Sequence, residues 1–462
     1  MNLLLALALS TRAAAAAAAL APAASPFSLA ATLRGRVAGD AFGAGVAVSG
    51  GSGDALLLAA GATGASGGLG AIELFAATPA WAAAGPPLAP PPGPFGGAAL
   101  GATLAFAPGL LASAVFTSYE SQGGACVFSL PPEPALQQNI TESTPGDELG
   151  SSLALDATAG SWLALGAPNF ADGQGVVYVF RRNSVGGDAA PFARAQVLSA
   201  AADFPAAAAA ASNFGASLAL SGPTLAVSAT AVEGGNGIVL LYKLVGASAW
   251  TPASILDAGA RRGQGDAYGY ALALSSGGAL LLCGAPGLGR AFAHRADAAV
   301  QEIEAPSSAA ASCSFGWSLA LSADAGVLLI GTNCEVGGVA AVYTAGANGS
   351  FTLASVLANA SSSSPDSFGL SVALSADGTI AIVGAPGALD AAGAVYIFAQ
   401  ALPSGGSGSI GDTSSATAAT VGGAVGALAA AGLAAAALVV VRRRARAAAP
   451  SAAPIYAALP LA

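Results

Sequence analysis

The side chains from which an active site is usually built are scarce in this chain of 462 residues. His294 is its single histidine, so any Ser-His-Asp triad would have to use it, and no nucleophile-elbow pattern around a serine supports one. The single lysine, Lys243, follows no glycine-rich loop, which excludes a phosphate-binding P-loop. A His-rich zinc site is impossible with one histidine, and Cys313 with Cys334 alone cannot close a tetrahedral site. Of fifteen Lys and Arg, four follow a C-terminal apolar run and one lies near the N-terminus, leaving ten against twenty-four acids. That region carries a formal charge of about −14, which argues against binding a phosphate backbone. The expectation is a protein that is not an enzyme.

What positions the remaining polar residues is a repeat. A pattern of the form [F/L/Y]-G-x-x-[L/V]-A-[L/V/F] begins at Phe42, Leu100, Leu149, Phe214, Tyr268, Phe315 and Phe368. About sixteen residues later comes G-A-P or a near copy, then G-x-V-Y-V-F; a period of roughly fifty is that of a propeller blade. Apolar residues alternate within each unit, as in Ser152-Leu153-Ala154-Leu155, Trp162-Leu163-Ala164-Leu165 and Val176 to Phe180, which predicts three strands. Asp377-Gly378 supplies a hairpin turn between the first two strands, and the proline of Gly384-Ala385-Pro386 ends the second. Glycine after the aromatic suits a place where backbones approach closely.

A fourth strand lies between units, at Phe192 to Leu198, Trp250 to Leu256 and Phe351 to Leu357. The seventh unit has none after it. Its counterpart stands at the other end of the chain, where Phe27-Ser28-Leu29-Ala30-Ala31-Thr32-Leu33 repeats the pattern of 351–357. The N-terminal segment is therefore expected to complete the last blade and close the ring, leaving only short, protected edges. The fold class is all-β: a seven-bladed β-propeller of four-stranded antiparallel blades over residues 24–400.

Phe368-Gly369 followed by Gly384-Ala385-Pro386 resembles the FG-GAP repeat of the integrin α-chain N-terminal propeller and its non-integrin relatives. The resemblance covers roughly residues 25–400. Units two and four depart from it, with Ser113-Ala114-Val115 and Ser228-Ala229-Thr230 in place of G-A-P. The resemblance implies calcium loops in the hairpins between first and second strands. Here those hairpins hold one carboxylate each (Asp156, Asp324, Asp377), so Asp377 reads as a turn residue, tight calcium binding is not expected there, and no cofactor or metal is assigned. The resemblance also places ligand recognition on the face that carries the loops after second strands and the loops between blades. On that face stand Asn169, Asp172, Glu233, Asn236, Glu335 and Asp390 as ligand-binding candidates, with Asp203, Asp266 and Asp366 in the inter-blade loops.

The segments outside the ring read as membrane topology. Residues 3–9 form a short apolar run and small residues follow to Ala24, the pattern of a secretory signal peptide over 1–23, although no basic residue precedes the run. Residues 401–417 are a Gly/Ser-rich stalk, whose ~15 residues span on the order of 20 Å. Val421 to Val441 carries no charge, long enough for a ~30 Å hydrocarbon core, and Arg442, Arg443, Arg444 and Arg446 follow at once. That predicts a transmembrane helix over 418–441, a cytoplasmic tail over 442–462 and the propeller outside the cell or in a lumen, in a plasma or endomembrane. Gly422 and Gly426 form a small-xxx-small pair suited to helix dimerisation, and Tyr456 to Leu459 fits a Y-x-x-Φ sorting motif. Asn139, Asn348 and Asn359 begin N-glycosylation sequons. Antiparallel pairing brings Cys313 and Cys334 together for a disulfide, while Cys126 and Cys283 read as small buried hydrophobes.

The mean hydropathy of +0.67 and 54% hydrophobic residues reflect alanine, not continuous apolar runs. The expected function is a single-pass type I receptor or adhesion-like protein whose propeller binds an extracellular protein or glycan. A membrane-tethered carbohydrate-active enzyme is the alternative from another class; it requires paired acids roughly 5 to 10 Å apart at the ring axis, where the inner strands read as Ala, Leu and Ser. A structural surface protein is a third.

Overall fold

The computed structural model describes residues 27–400 apart from 51–55, 79, 92–98, 116–122, 131, 142–146, 184–190, 205–212, 232–234, 247, 260–264, 296–297, 310–312, 335–337 and 360–364. The signal peptide, stalk, membrane span and tail, and with them Gly422, Gly426, Tyr456 and Leu459, lie outside the described residues. Among the described residues no helix is long and apolar enough to cross a membrane.

The alternating runs form seven antiparallel sheets of four strands each. We number the blades by their aromatic-glycine pairs, from Phe42–Gly43 in blade 1 to Phe368–Gly369 in blade 7. In blade 3 the strands Ser152–Leu155, Trp162–Ala167, Val176–Arg182 and Phe192–Leu198 pair in chain order. First strands of neighbouring blades touch all the way round, so they line the axis and fourth strands form the rim. Blades 2 and 4, which lack G-A-P, are nonetheless complete.

The ring closes as the sequence suggests. Phe27–Arg34 pairs with Ala394–Gln400, from Phe27 opposite Gln400 to Arg34 opposite Ala394. The amide of Gln400 donates to the carbonyl of Thr379, in the hairpin between the first two strands of blade 7. Both ends of the described chain therefore leave from the hairpin face, opposite the face that carries the candidate loops.

The two halves of the repeat meet between blades. Gly43 takes φ +89°, a conformation that favours glycine, and the Cβ of a larger residue at Gly384 would lie 2.1 Å from its carbonyl oxygen. Each F-G turn is thus stacked on the second strand of the preceding blade, which explains why both motif halves need glycine. The aromatics themselves are sealed in the blade interfaces: Phe214, with Leu218 and Tyr242, packs against Trp162, Val177 and Val179 of blade 3. The predicted Cys313–Cys334 disulfide is present, with Cα atoms 4.6 Å apart. Cys126 and Cys283 are buried and free, and burial pushes both thiols up to about 12.

The rim has a second fastening that the repeat does not announce. Glutamines on three fourth strands reach the fourth strand of the next blade and hold one residue's backbone at both ends. Gln138 grips Phe192 (2.7 and 2.8 Å), Gln196 grips Trp250 (2.9 and 2.8 Å) and Gln301 grips Phe351 (2.8 and 2.9 Å). Gln196→Ala removes both bonds and leaves a partly buried amide and carbonyl unpaired, so it is expected to cost about 1–3 kcal/mol. A urea midpoint lowered at unchanged m-value is the readout.

Candidate functional site

Loops on the candidate face are built in two ways. Short left-handed turns follow the second strands of blades 3 and 7, at Phe170–Gly173 and Ala388–Ala391, and hold Asp172 (φ 60°) and Asp390 (φ 57°) in equivalent places. Both side chains are exposed, with no hydrogen-bond or ion-pair partner among the described residues. Asn169 is half-buried beside Asp172. Asn236, in blade 4, has a buried Oδ1 without a partner. Blades 3 and 7 stand three places apart round a ring of seven, so Asp390 shares no patch with Asp172. Glu233 and Glu335 lie outside the described residues.

The inter-blade aspartates are structural. Asp203 accepts from the Tyr242 hydroxyl (2.9 Å) and the Ser199 amide (3.2 Å). Asp366 is buried, accepting from Asn359 Nδ2 (3.0 Å) and the Phe368 amide (3.1 Å). Asp40, Asp147, Asp266 and Asp366 all stand two residues before the aromatic or leucine of their blade. In each, the backbone carbonyl accepts the N–H of the residue three places after the second-strand glycine: Gly64 (2.9 Å), Asn169 (3.3 Å), Gly287 (3.2 Å) and Gly387 (3.0 Å). This clasp ties the start of the first strand to the end of the second.

The hairpin carboxylates serve their own turns. Asp377 Oδ1 accepts from Ser375 Oγ (2.6 Å), Thr379 N (3.0 Å) and Thr379 Oγ1 (2.8 Å). Burial works to raise its pKa, and these bonds more than offset that, holding it below the ordinary value. Asp156 and Asp324 cap their turns in the same way. Among the described residues no group of three or more His, Cys, Asp or Glu could hold a metal ion.

His294 takes the place of a third-strand aromatic and shares a hydrogen bond with the Tyr268 hydroxyl. Burial lowers its pKa to about 4, against a weaker opposing pull from Asp257. It is neutral at physiological pH and sits in the wall of blade 5. The described residues of the seven first strands contain no Asp or Glu. Of the sequon asparagines, Asn348 is exposed in a turn and Asn139 is exposed on the rim strand Leu136–Ile140, whereas Asn359 is buried against Asp366.

The most unusual chemistry lies at the inner edge of this face, among residues that sequence reasoning passed over. The residue after each F-G glycine is small in blades 1–4 (Ala44, Ala102, Ser151, Ala216) and large in blades 5–7 (Tyr270, Trp317, Leu370). Tyr270 and Trp317 stack with ring centroids 4.4 Å apart, and Leu370 and Ala267 pack against the same cluster. Tyr270 Oη and Trp317 Nε1 are buried without partners among the described residues, as are Thr103 Oγ1 and Ser217 Oγ one residue further along in blades 2 and 4. Asn236 Oδ1 and Ser228 Oγ are further buried atoms without a partner among the described residues. Burial raises the Tyr270 pKa well above its ordinary value, so the hydroxyl stays a donor.

Glu148 stands in blade 3 where Ala267 stands in blade 5. It is 9% exposed, in a left-handed conformation (φ 58°), and its carboxylate has no partner among the described residues. Burial raises its pKa to about 7. The Ser151 hydroxyl donates to its backbone carbonyl (2.6 Å) and fixes the turn that holds it. Partial desolvation of the carboxylate and a non-glycine left-handed backbone each cost free energy. The signal that could have found Glu148 was positional: one acid set against Ala, Asn or Ser in the same slot of the other six repeats.

The FG-GAP repeat family profile matches residues 354–398. No curated protein matches the chain. Among solved structures, virginiamycin B lyase from Staphylococcus aureus superposes with a TM-score of 0.49 at 8% identity, covering 81% of this chain and 99% of that one. A functionally unknown protein from Desulfotomaculum acetoxidans gives 0.47 at 9% identity, covering 69% and 86% respectively. A putative 6-phosphogluconolactonase from Bacteroides uniformis gives 0.45 at 13%, covering 69% and 85%. The chain is thus a seven-bladed β-propeller that carries an FG-GAP repeat in blades 6 and 7.

Proposed function

We propose that the chain is a non-enzymatic, single-pass type I membrane receptor or adhesion-like protein whose loop face binds a protein or glycan ligand. The observation that carries this reading is Glu148, a partly desolvated carboxylate without a partner among the described residues, on the face where the donors of Tyr270 and Trp317 likewise have none among the described residues. Ligand groups that donate to Glu148 and accept from Tyr270 and Trp317 would repay the desolvation that the free ring bears. Asn169 and Asp172 extend this surface outward in blade 3, and Asp390 lies on a separate part of it.

The position of the chain ends supports the same reading. Residue 400 leaves from the hairpin face, so a span at 421–441 would put that face toward the bilayer and the loop face toward solvent and partners. Exposed Asn348 and Asn139 fit a propeller that passes through the secretory pathway. The test is a protein and glycan array probed with the full-length chain. Selective binding by the wild type, reduced at least about tenfold by Glu148→Gln, is expected, since burying a hydrogen-bonded charge is worth more than about 1.4 kcal/mol. Absence of selective binding, or equal binding by the variant, would remove the loop face as a receptor surface.

A further inference from the structure

Blade 6 lacks the clasp that blades 1, 3, 5 and 7 share. Its residue two before the aromatic is Cys313 instead of aspartate, and its residue three after the second-strand glycine Gly331 is Cys334. No backbone hydrogen bond joins the two. The disulfide stands there instead. A Cβ at Gly64, Gly287 or Gly387 would fall 1.9, 2.0 and 2.4 Å from a backbone oxygen beside the clasp aspartate, so in blades 1, 5 and 7 the hydrogen-bonded clasp is built on glycine, whereas blade 3 builds it with Asn169.

This joint holds Trp317. Cys313 precedes it by four residues, and the Cys313 carbonyl accepts the amide of Phe315 (2.9 Å) in the strand Ser314–Leu321 that carries Trp317. Cys334 is further fixed by Thr332: its Sγ lies 3.3 Å from Thr332 Oγ1, which also bonds both polar groups of the Val339 backbone (2.9 Å each).

We propose that Cys313–Cys334 is a covalent, redox-addressable copy of the aspartate clasp, and that its reduction frees the strand start bearing Trp317 while the clasps of blades 1, 3, 5 and 7 stay closed. The inference rests on the loop-face reading only for its consequence to binding. The exchange needs an external dithiol. Its thiolate attacks one sulfur of the bridge, breaking the S–S bond and forming a mixed disulfide, and its second thiolate then displaces the protein sulfur. Two electrons pass to the protein, two protons end on Cys313 and Cys334, and the reagent leaves as its own disulfide. Cys126 and Cys283 are buried in other blades, so neither supplies the resolving thiol.

The test is amide hydrogen exchange of the full-length chain, oxidised and in dithiothreitol, with two double variants. Cys313→Ser with Cys334→Ser removes the joint. Cys313→Asp with Cys334→Gly installs the clasp of blade 7. Reduction and the serine pair are each expected to raise exchange at 314–317 by about tenfold or more, without change in blade 3. The Asp/Gly pair is expected to keep wild-type protection and to be indifferent to dithiothreitol. Unchanged exchange on reduction, or an Asp/Gly pair as loose as the serine pair, would overturn the proposal. Exchange is read without ligand, so its outcome is independent of whether the array finds one.

Discussion

Replacing Glu148 by glutamine is expected to stabilise the ring at pH 8 by roughly 1–3 kcal/mol and to leave it unchanged at pH 4. The carboxyl titrates at about 7 in the fold against an ordinary 4.5. A folded-state pKa above the unfolded one means that the folded protein binds this proton more tightly. Its stabilising contribution is complete below pH 4.5 and is lost as pH rises through 7. Glutamine fixes the neutral form at every pH, so the gain appears only where the wild type is charged. Urea unfolding at the two pH values measures it. A variant no more stable at pH 8 would mean that the carboxylate is already compensated within the ring, and the site would lose its main support. A residue whose removal stabilises the fold while weakening binding has the signature of one retained for function.

The second large effect is expected from the closing strand. Deleting Phe27–Arg34 strips the outer partner from all of Ala394–Gln400, leaving it paired only with Ile380–Ala385, and uncovers the pocket in which Phe27 is 5% exposed. A lost buried aromatic alone costs about 3–5 kcal/mol, and the open sheet edge adds to it. The sum approaches the whole net stability of a domain, about 5–15 kcal/mol, so the truncated chain is expected not to fold cooperatively. A synthetic peptide Phe-Ser-Leu-Ala-Ala-Thr-Leu-Arg added in excess should restore the transition. Cooperative melting of the truncated chain without peptide would show that six blades and three strands suffice.

Blade count, strand alternation, the closing strand and the Cys313–Cys334 bridge were legible because each is a spacing. Phe27 matches Phe351 residue by residue, and the two cysteines fall at the ends of paired strands. The degraded units were legible only in part: Ser113 and Ser228 replace the second-strand glycine, yet both blades are complete. In blade 2 the Ser113 hydroxyl takes up the Gly101 amide (3.0 Å). The site was less visible. Asp203 and Asp366 resemble free loop acids in sequence, since their partners, Tyr242 and Asn359, come from other parts of the blade pattern. Asp266 and Asp366 recur with Asp40 and Asp147 at a fixed offset from F-G, where the backbone carbonyl of each makes the clasp and the Asp366 carboxylate also accepts from Asn359 and the Phe368 amide. Glu148 drew no notice because burial, not residue type, distinguishes it from the exposed acids around it.

The most direct test of the central claim is the hydrogen-exchange footprint, on the full-length chain, of whichever ligand the array selects. A receptor head built on the loop face predicts protection at 147–151, 267–270 and 314–317, with the hairpins at 156–160, 322–326 and 375–379 unchanged. Protection confined to those hairpins or to the rim strands would contradict it.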